Sequence, residues 1–337
     1  MIGKKININR VEVFGDLSLD EVNEIKNNED VKYIQISKEI PAQTLEMINN
    51  VILVERPDIQ FRVYGFYGEE CNLGFLEKLT NVVDLSIGEM TEVNNIDVLG
   101  KLTNLKRLRV CLDKLEDISF LSNINSNIIS LMLGTGVNNS NLDFSIIEKF
   151  QALESLFIYK INYGYNSLKN MEALKTLTIN ACSIKDFTVL KDTNVNTLSL
   201  GLMSNSDLSS LNGNEKINSL ELQRLSKLSD LNILSSLPNL QYCHVSHNNH
   251  IEKVPNMRRC ESVKALVFDS IKKLSDISEL AFVPNVERIE MYQLKLVDLL
   301  SIEDILKNPS LKKFKCTTGS MKKDRQIRKL IEEYDKV

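Results

Sequence analysis

Apolar residues recur along this chain in a short pattern, L-x-x-L-x-x-L-x-L, whose third apolar residue we call the anchor. The stretch 102–110, LTNLKRLRV, shows the pattern most clearly. Successive anchors lie 21 to 27 residues apart. A unit of this length is too small to bury its own apolar face, so the pattern predicts units stacked into a solenoid with one continuous core. The fourteen anchors are Val11, Ile34, Phe61, Leu85, Leu108, Leu131, Leu156, Leu177, Leu198, Leu220, Cys243, Leu266, Ile289 and Phe314.

Each anchor and the residue two positions further along are predicted to lie in a short strand that turns one face inward, because side chains alternate along a strand. Fourteen such strands, about 4.8 Å apart, would form one parallel sheet about 60 to 65 Å long. Independent globular domains would not keep so regular a period. The 337 residues are therefore predicted to form one continuous solenoid domain.

Both ends of the chain depart from the regular pattern. Residues 17–28 and 41–54 have helical apolar spacing behind Ser18 and Pro41, which favour helix starts. Ser320 precedes a further predicted helix. The residues assigned to one face of that helix are Met321, Ile327, Leu330, Ile331 and Tyr334.

These features predict three regions of one α/β domain. Repeats with α-helical backs occupy residues 1–78, regular repeats occupy 79–317, and a capping helix occupies 318–337. The basic residues of the capping helix are interpreted as its solvated face rather than as a docking surface, since charge runs on helices usually face water.

Residues 102–121 resemble a unit of the leucine-rich repeat family and, within it, the bacterial internalin-like class with units of about 22 residues. The resemblance implies a curved horseshoe with the parallel sheet on its concave side and helices or 3₁₀ turns on its convex side. In that class an Asn five residues after the anchor links neighbouring turns into a ladder. Only Asn248 occupies that position here, so we expect apolar packing to hold most of these turns.

A second recurring residue is an Asp nine or ten positions after the anchor. Its carboxylate is predicted to cap the free N–H groups that open the next short helix or turn. Calcium binding is the alternative, but calcium ligands must converge from several positions of one loop. One Asp per unit therefore indicates a structural role. The residues are Asp117, Asp186, Asp207, Asp230, Asp276 and Asp298.

The positions one before, one after and three after each anchor are predicted to point outward from the concave side. Tyr and Arg are common anchors of protein interfaces, and both recur there. Strands also favour aromatic residues for structural reasons alone. Three zones stand out. The first zone is Arg10, Tyr33, Arg62, Tyr64, Arg107 and Arg109; the central zone is Phe157 and Tyr159, with Tyr163 and Tyr165 in the following loop; the third zone is Tyr242, His244, Arg288, Glu290 and Tyr292.

Composition narrows the possible partners. With 41 Lys and Arg against 45 Asp and Glu, the net charge of −4 favours neither nucleic acid nor an anionic membrane as a partner. No signal-like apolar stretch, wall anchor or membrane-length apolar run is evident, so we expect a cytoplasmic location. The six cysteines form no CxxC pair and are interpreted as reduced, small hydrophobic residues.

Candidate chemistry is sparse. His244, His247 and His250 share one segment, but an extended chain would keep them too far apart to converge on a zinc ion, so no metal or other cofactor is expected. Cys111 is predicted to be exposed beside Arg109, which would lower the pKa of its thiol. No histidine lies near it in the register. The sequence also has no GxSxG, GxxxxGK[ST], HExxH or GxGxxG motif.

The leading interpretation is an intracellular bacterial, non-enzymatic scaffold that binds a protein partner on its concave face. The internalin resemblance implies the alternative of an exported or surface-associated interaction protein. An enzyme acting through Cys111 or the histidine segment is a third hypothesis. The sequence does not identify the partner.

Overall fold

The computed structural model describes residues 4–66, 70–138, 140–205 and 207–337. The chain forms two compact units, Met1–Leu174 and Lys175–Val337. In each unit a short strand alternates with a turn or a short helix.

The first unit contains a parallel sheet with the order β2-β3-β4-β6-β8-β9-β11. Strand β1 joins β2 antiparallel at the edge, and the pairs β5-β7 and β10-β12 form two small sheets. The strands are β1 (Lys4–Asn7), β2 (Arg10–Val13), β3 (Tyr33–Ile36), β4 (Gln60–Tyr64), β5 (Cys71–Asn72), β6 (Asp84–Met90), β7 (Val93–Asn94), β8 (Arg107–Leu112), β9 (Ser130–Thr135), β10 (Ser140–Asp143), β11 (Ser155–Tyr159) and β12 (Ile161–Tyr163).

The second unit continues the same design with seven described strands, each parallel to the next. They are β13 (Thr176–Asn180), β14 (Thr197–Gly201), β15 (Ser219–Gln223), β16 (Tyr242–Ser246), β17 (Ala265–Asp269), β18 (Arg288–Tyr292) and β19 (Lys313–Cys316).

The predicted strands and their register are confirmed. Each of the fourteen anchors lies in a parallel strand and is at most 1% exposed. Within each unit, anchors of neighbouring strands pair directly, as Val11 does with Ile34 and Leu177 with Leu198. Strand β1 was not predicted, because it carries no anchor and pairs antiparallel through Asn7 and Arg10.

The helices follow the strands. At the N-terminal end, Ser18 Oγ accepts the N–H of Glu21, and the Glu21 carboxylate accepts the N–H of Ser18, a capping box that fixes the start of α1. The two N-terminal helices predicted from the sequence are therefore present. The α-helices are α1 (Leu19–Asn27), α2 (Ala42–Met47, continued by the π-helix Ile48–Leu53), α3 (Ile233–Ser236), α4 (Leu299–Leu306) and α5 (Met321–Glu333).

Shorter 3₁₀ helices follow most of the remaining strands, as expected from the resemblance. They span Leu73–Lys78, Ile96–Lys101, Ser119–Asn123, Phe144–Lys149, Tyr165–Asn170, Thr188–Asp192, Ser209–Leu211 and Ser278–Phe282.

The C-terminal helix α5 packs against α4 and β19 and fully buries Ile327. The predicted apolar face of this helix is wrong at one residue, because Met321 is 87% exposed. Met321 and Ile327 are six positions apart, and at about 100° per residue they lie about 120° apart around the helix. Met321 therefore faces water while Ile327 faces the core.

The turns after the strands share a backbone feature that the sequence did not reveal. In eight units the residue four positions after the anchor has a φ of 54° to 57°, or 51° at Arg224, although none is glycine. Within residues 175–337, five of these residues donate their N–H to the carbonyl of the last strand residue of the next repeat, as Ala181 does to Gly201 at 2.9 Å. Gln293 donates instead to Thr317 Oγ1 at 3.1 Å. The residues are Glu89, Lys160, Ala181, Leu202, Arg224, His247, Ser270 and Gln293.

Side-chain ladders are placed differently from the expectation. Asn248 is fully buried and accepts the N–H of Leu225 at 2.7 Å, while buried apolar residues such as Leu225 and Leu294 fill the same position in most of the other regular repeats. Apolar packing of these turns is thus confirmed. A further amide ladder occurs four residues before the anchor, where Asn104, Asn239 and Asn285 each donate to a carbonyl of the preceding unit.

The recurring aspartates are confirmed as caps. The Asp117 carboxylate accepts the N–H of Ser119 at 2.9 Å, and the other five repeat this bond two or three residues ahead. The hydrogen bonds from the side chain and backbone of Ser119 hold the pKa of Asp117 below its usual value. A charged carboxylate is therefore favoured at this helix start.

Candidate functional site

The outward strand positions form an open surface in each unit, but several side chains there are buried. All eleven predicted site residues are half-buried or exposed. The exposure predicted for several other outward positions is wrong, because they are less than 10% exposed. These residues are Gln35, Gln60, Asp84, Ser86, Ser246 and Val267.

Arg62 lies at the middle of the first zone between two tyrosine rings. Its guanidinium carbon is 4.1 Å from the ring centre of Tyr64 and 5.4 Å from that of Tyr33. The Tyr64 hydroxyl is 3.1 Å from Ser86 Oγ, which fixes the ring. Cation–π attraction therefore holds the Arg62 side chain in place.

Arg107 of the same zone also stabilises the fold. Its Nε donates to the carboxylate of Asp84 at 2.8 Å, and Gln60 Nε2 donates to that carboxylate at 2.7 Å. Asp84 is only 7% exposed. Removing Arg107 would leave a buried charge with one partner fewer, so this residue contributes to the stability of the fold as well as to the surface.

Cys111 differs from the sequence interpretation. It is half-buried, and burial raises the pKa of its thiol to about 11, although Arg109 opposes this shift. The thiol also lies close to Gly134, where a Cβ atom would be 3.0 Å from Sγ. The expected lowering of the pKa is therefore wrong, because desolvation outweighs the nearby positive charge.

In the central zone, Phe157 and Tyr159 lie on β11 beside Met132 and Gly134 of β9. Gly134 leaves room for Tyr159, since a Cβ there would be 3.1 Å from that of Tyr159. Tyr163 is 53% exposed.

The assignment of Tyr165 to the central surface zone is wrong. Its ring packs edge-to-face against Phe144 at 4.9 Å, its hydroxyl donates to the Ile161 carbonyl, and it is 8% exposed. It starts a 3₁₀ helix and turns into the core.

The third zone lies on β16 and β18 of the second unit, with β17 between them. Tyr292 donates to the Glu290 carboxylate at 3.0 Å, and Arg288 lies 3.8 Å from the other oxygen of that carboxylate. Burial and the hydrogen bond to Glu290 raise the pKa of Tyr292, which keeps its hydroxyl protonated as a donor. Tyr242 and His244 are half-buried on β16.

The three histidines do not meet. His247 and His250 line an open depression of about 340 Å³ with Arg224, whereas His244 lies on the strand face. Among residues 4–66, 70–138, 140–205 and 207–337, no three His, Cys, Asp or Glu side chains are grouped to hold a metal ion.

A cavity of about 550 Å³ opens beside the first zone, where β2, β3 and β4 end. Strand residues and the following turns both contribute to it. It is lined by Arg10, Glu12, Gln35, Ser37, Lys38, Arg62, Tyr64, Gly65, Phe66 and Glu89.

Comparison with solved structures identifies the architecture. An internalin from Listeria monocytogenes superposes with a TM-score of 0.57 at 16% identity, over 93% of this chain and 88% of the internalin. The fold is a leucine-rich repeat solenoid. Two protein complexes contain a similar fold. The mouse RP105/MD-1 complex matches with a TM-score of 0.52 at 13% identity, over 98% of this chain and 63% of that one. The Drosophila Toll–Spätzle complex matches with a TM-score of 0.52 at 10% identity, over 95% of this chain and 52% of that one. No model of a known family matches the chain, and neither does any curated protein.

The leucine-rich repeat register placed the strand residues of this cavity on the correct face, but it did not indicate the cavity. The repeat pattern predicts Gln35 only as one of many outward residues. In the register, Gln35 lies between Glu12 and Arg62 of the neighbouring strands, and this row of polar residues is the sequence signal of the cavity. In the described part of the chain, no helix has the length and apolar character needed to span a membrane.

Proposed function

We propose that this chain is a non-enzymatic scaffold that holds a protein partner against the outward face of its leucine-rich repeat strands. The observation that carries the proposal is the fixed Tyr33–Arg62–Tyr64 stack, in which large side chains stand on a rigid sheet with little conformational freedom left to lose. Two similar folds were solved as protein–protein complexes, which also supports it.

The test compares capture of a partner from lysate of the source organism by wild-type and variant protein. Tyr64→Ala combined with Tyr159→Ala addresses the first unit, and Tyr242→Ala addresses the second. At least one of these variants is expected to weaken capture about thirtyfold, the effect of losing about 2 kcal/mol at an interface hot spot. Arg107 is unsuitable for this test, because it also holds the buried Asp84.

Phe282→Ala is the matched control. Phe282 is also an exposed aromatic residue, at 48%, but it lies in a 3₁₀ helix rather than on a strand. Equal capture by all variants, with unchanged unfolding midpoints, would exclude the strand face as the binding surface. The cytoplasmic location remains a prediction from the sequence.

A further inference from the structure

The cavity beside the first zone collects polar atoms that have no partner. In the described part of the chain, three buried side-chain nitrogen or oxygen atoms make no hydrogen bond: Arg10 Nε, Gln35 Oε1 and Arg62 Nε. They belong to three adjacent strands, β2, β3 and β4, and all three residues line this cavity. Buried polar groups in proteins are almost always satisfied, so the concentration of these three atoms at one cavity is typical of a binding site.

The arrangement of these groups is fixed by their surroundings. Gln35 is only 9% exposed, and its Cα pairs with that of Arg62 on the next strand. The two tyrosine rings hold Arg62, as described above. Glu12 accepts a hydrogen bond from Ser37 Oγ at 3.0 Å. The strand pairing and the two rings therefore limit how far these side chains can move, so little conformational freedom is lost when a ligand contacts them.

The chemistry of the three atoms defines the ligand. Two guanidinium N–H groups donate, and guanidinium groups bind planar carboxylates particularly well. The amide oxygen of Gln35 accepts, so the ligand must also carry a donor. Three cationic and two anionic side chains line the cavity, Lys38 and Glu89 among them, leaving one net positive charge. This balance suits a single carboxylate better than a doubly charged phosphate.

The geometry points to a site for the C-terminal residue of a protein partner, whose carboxylate is bound by Arg10 and Arg62 and whose own N–H donates to Gln35 Oε1. A chain end needs only one opening, whereas an internal acidic residue would need the chain to enter and leave. This inference rests on the proposed function and specifies one contact of the same surface.

The test uses acetylglycine, a small molecule that joins a terminal carboxylate to an adjacent amide N–H. The full chain is labelled with [¹⁵N]arginine, and the Nε–H signals are followed by NMR during titration. The signals of Arg10 and Arg62 are expected to shift and saturate. The signal of Arg56, whose Nε already donates to Asp58 at 2.8 Å, is expected to stay fixed and serves as the internal reference.

Matched probes and variants separate the two parts of the site. Acetylglycinamide, which lacks the charge, is expected not to bind, and acetate, which lacks the N–H, is expected to bind about five- to tenfold more weakly, the effect of one hydrogen bond. Gln35→Met should weaken the binding of acetylglycine by the same factor and leave the binding of acetate unchanged. Arg62→Lys should weaken both. Gln223→Met, the same change at an exposed strand position, should affect neither.

Three outcomes would overturn the inference. One is the absence of a saturable shift, which would mean that water alone fills the cavity. Another is an equal response to acetylglycinamide. The third is tighter binding of acetylaspartate methylamide than of acetylglycine, which would assign the site to an internal acidic side chain. Loss of probe binding with partner capture intact rejects only this site, whereas probe binding with capture unaffected by the Tyr64, Tyr159 and Tyr242 variants rejects only the proposed function.

Discussion

Asn248 is the residue at which a single substitution is expected to damage the repeat stack most selectively. It is fully buried, its Nδ2 donates to the carbonyls of Leu222 and Ser246 at 2.8 and 2.9 Å, and its Oδ1 accepts the N–H of Leu225 at 2.7 Å. One side chain thus ties two consecutive units together. It is the only residue at this position of the regular repeats that offers an amide.

Asn248→Ala should lower the free energy of unfolding by about 3 to 5 kcal/mol. The largest part is the buried N–H of Leu225 left without a partner, at about 1 to 3 kcal/mol, and each lost bond from Nδ2 adds about 1 kcal/mol. Asn248→Leu should also lower the free energy of unfolding by about 3 to 5 kcal/mol, because it loses the same hydrogen bonds although it refills the space, as Leu294 does in its own repeat.

Asn239→Ala is the matched control, since it removes one exposed amide bond to the Glu215 carbonyl in the same repeat and should cost about 0.5 to 1 kcal/mol. Urea unfolding followed by far-ultraviolet circular dichroism measures the three losses, and hydrogen exchange should show the amide of Leu225 opening faster in both Asn248 variants. If Asn248→Ala costs no more than Asn239→Ala, the hydrogen-bond argument is refuted.

Two further predictions concern backbone strain and pH. Ala181 has a φ of 55°, so Ala181→Gly should raise stability by about 0.5 to 1 kcal/mol, whereas Ala265→Gly on a strand should lower it by a similar amount; a loss for Ala181→Gly in thermal unfolding would contradict the strain argument. The Asp117 carboxylate has a folded pKa below 3.8, so its contribution to stability is present above about pH 4 and is lost as the pH falls through the lowered pKa. Asp117→Asn should therefore reduce the dependence of the free energy of unfolding on pH in the acid range, and an unchanged dependence would contradict the capping argument.

The strands were predictable from the sequence because an apolar anchor recurs in every repeat. An apolar anchor buries itself wherever units stack, and a one-residue error in register would expose the whole inner face. Even Cys243, which takes the place of a leucine, is only 1% exposed and pairs with Leu220 and Leu266 in the expected register. The aspartate caps were predictable for the same reason, since each acts within its own turn.

Features that depend on neighbouring turns were harder to predict. The left-handed residues after the strands include Leu202 and Arg224, which carry no sign of a positive φ. Their conformation is imposed by bonds to the next unit, such as the bond from the Leu202 N–H to the Gln223 carbonyl. The wrong expectation for the Cys111 pKa has a similar cause, because the sequence shows the charge of Arg109 but not the burial that outweighs it.

Gln35 and Gln60 show why the candidate site was not evident from the repeat alone. Both are glutamines at outward positions of adjacent strands, and both are less than 10% exposed. Gln60 donates to Asp84 and is part of the fold, whereas Gln35 lines the cavity and its buried Oε1 has no partner. The difference arises because Arg62, the cross-strand neighbour of Gln35, is held between two tyrosine rings and offers no bond to that oxygen. The repeat thus determines which residues face outward, while the competition among their neighbours determines which of them remain available to a ligand.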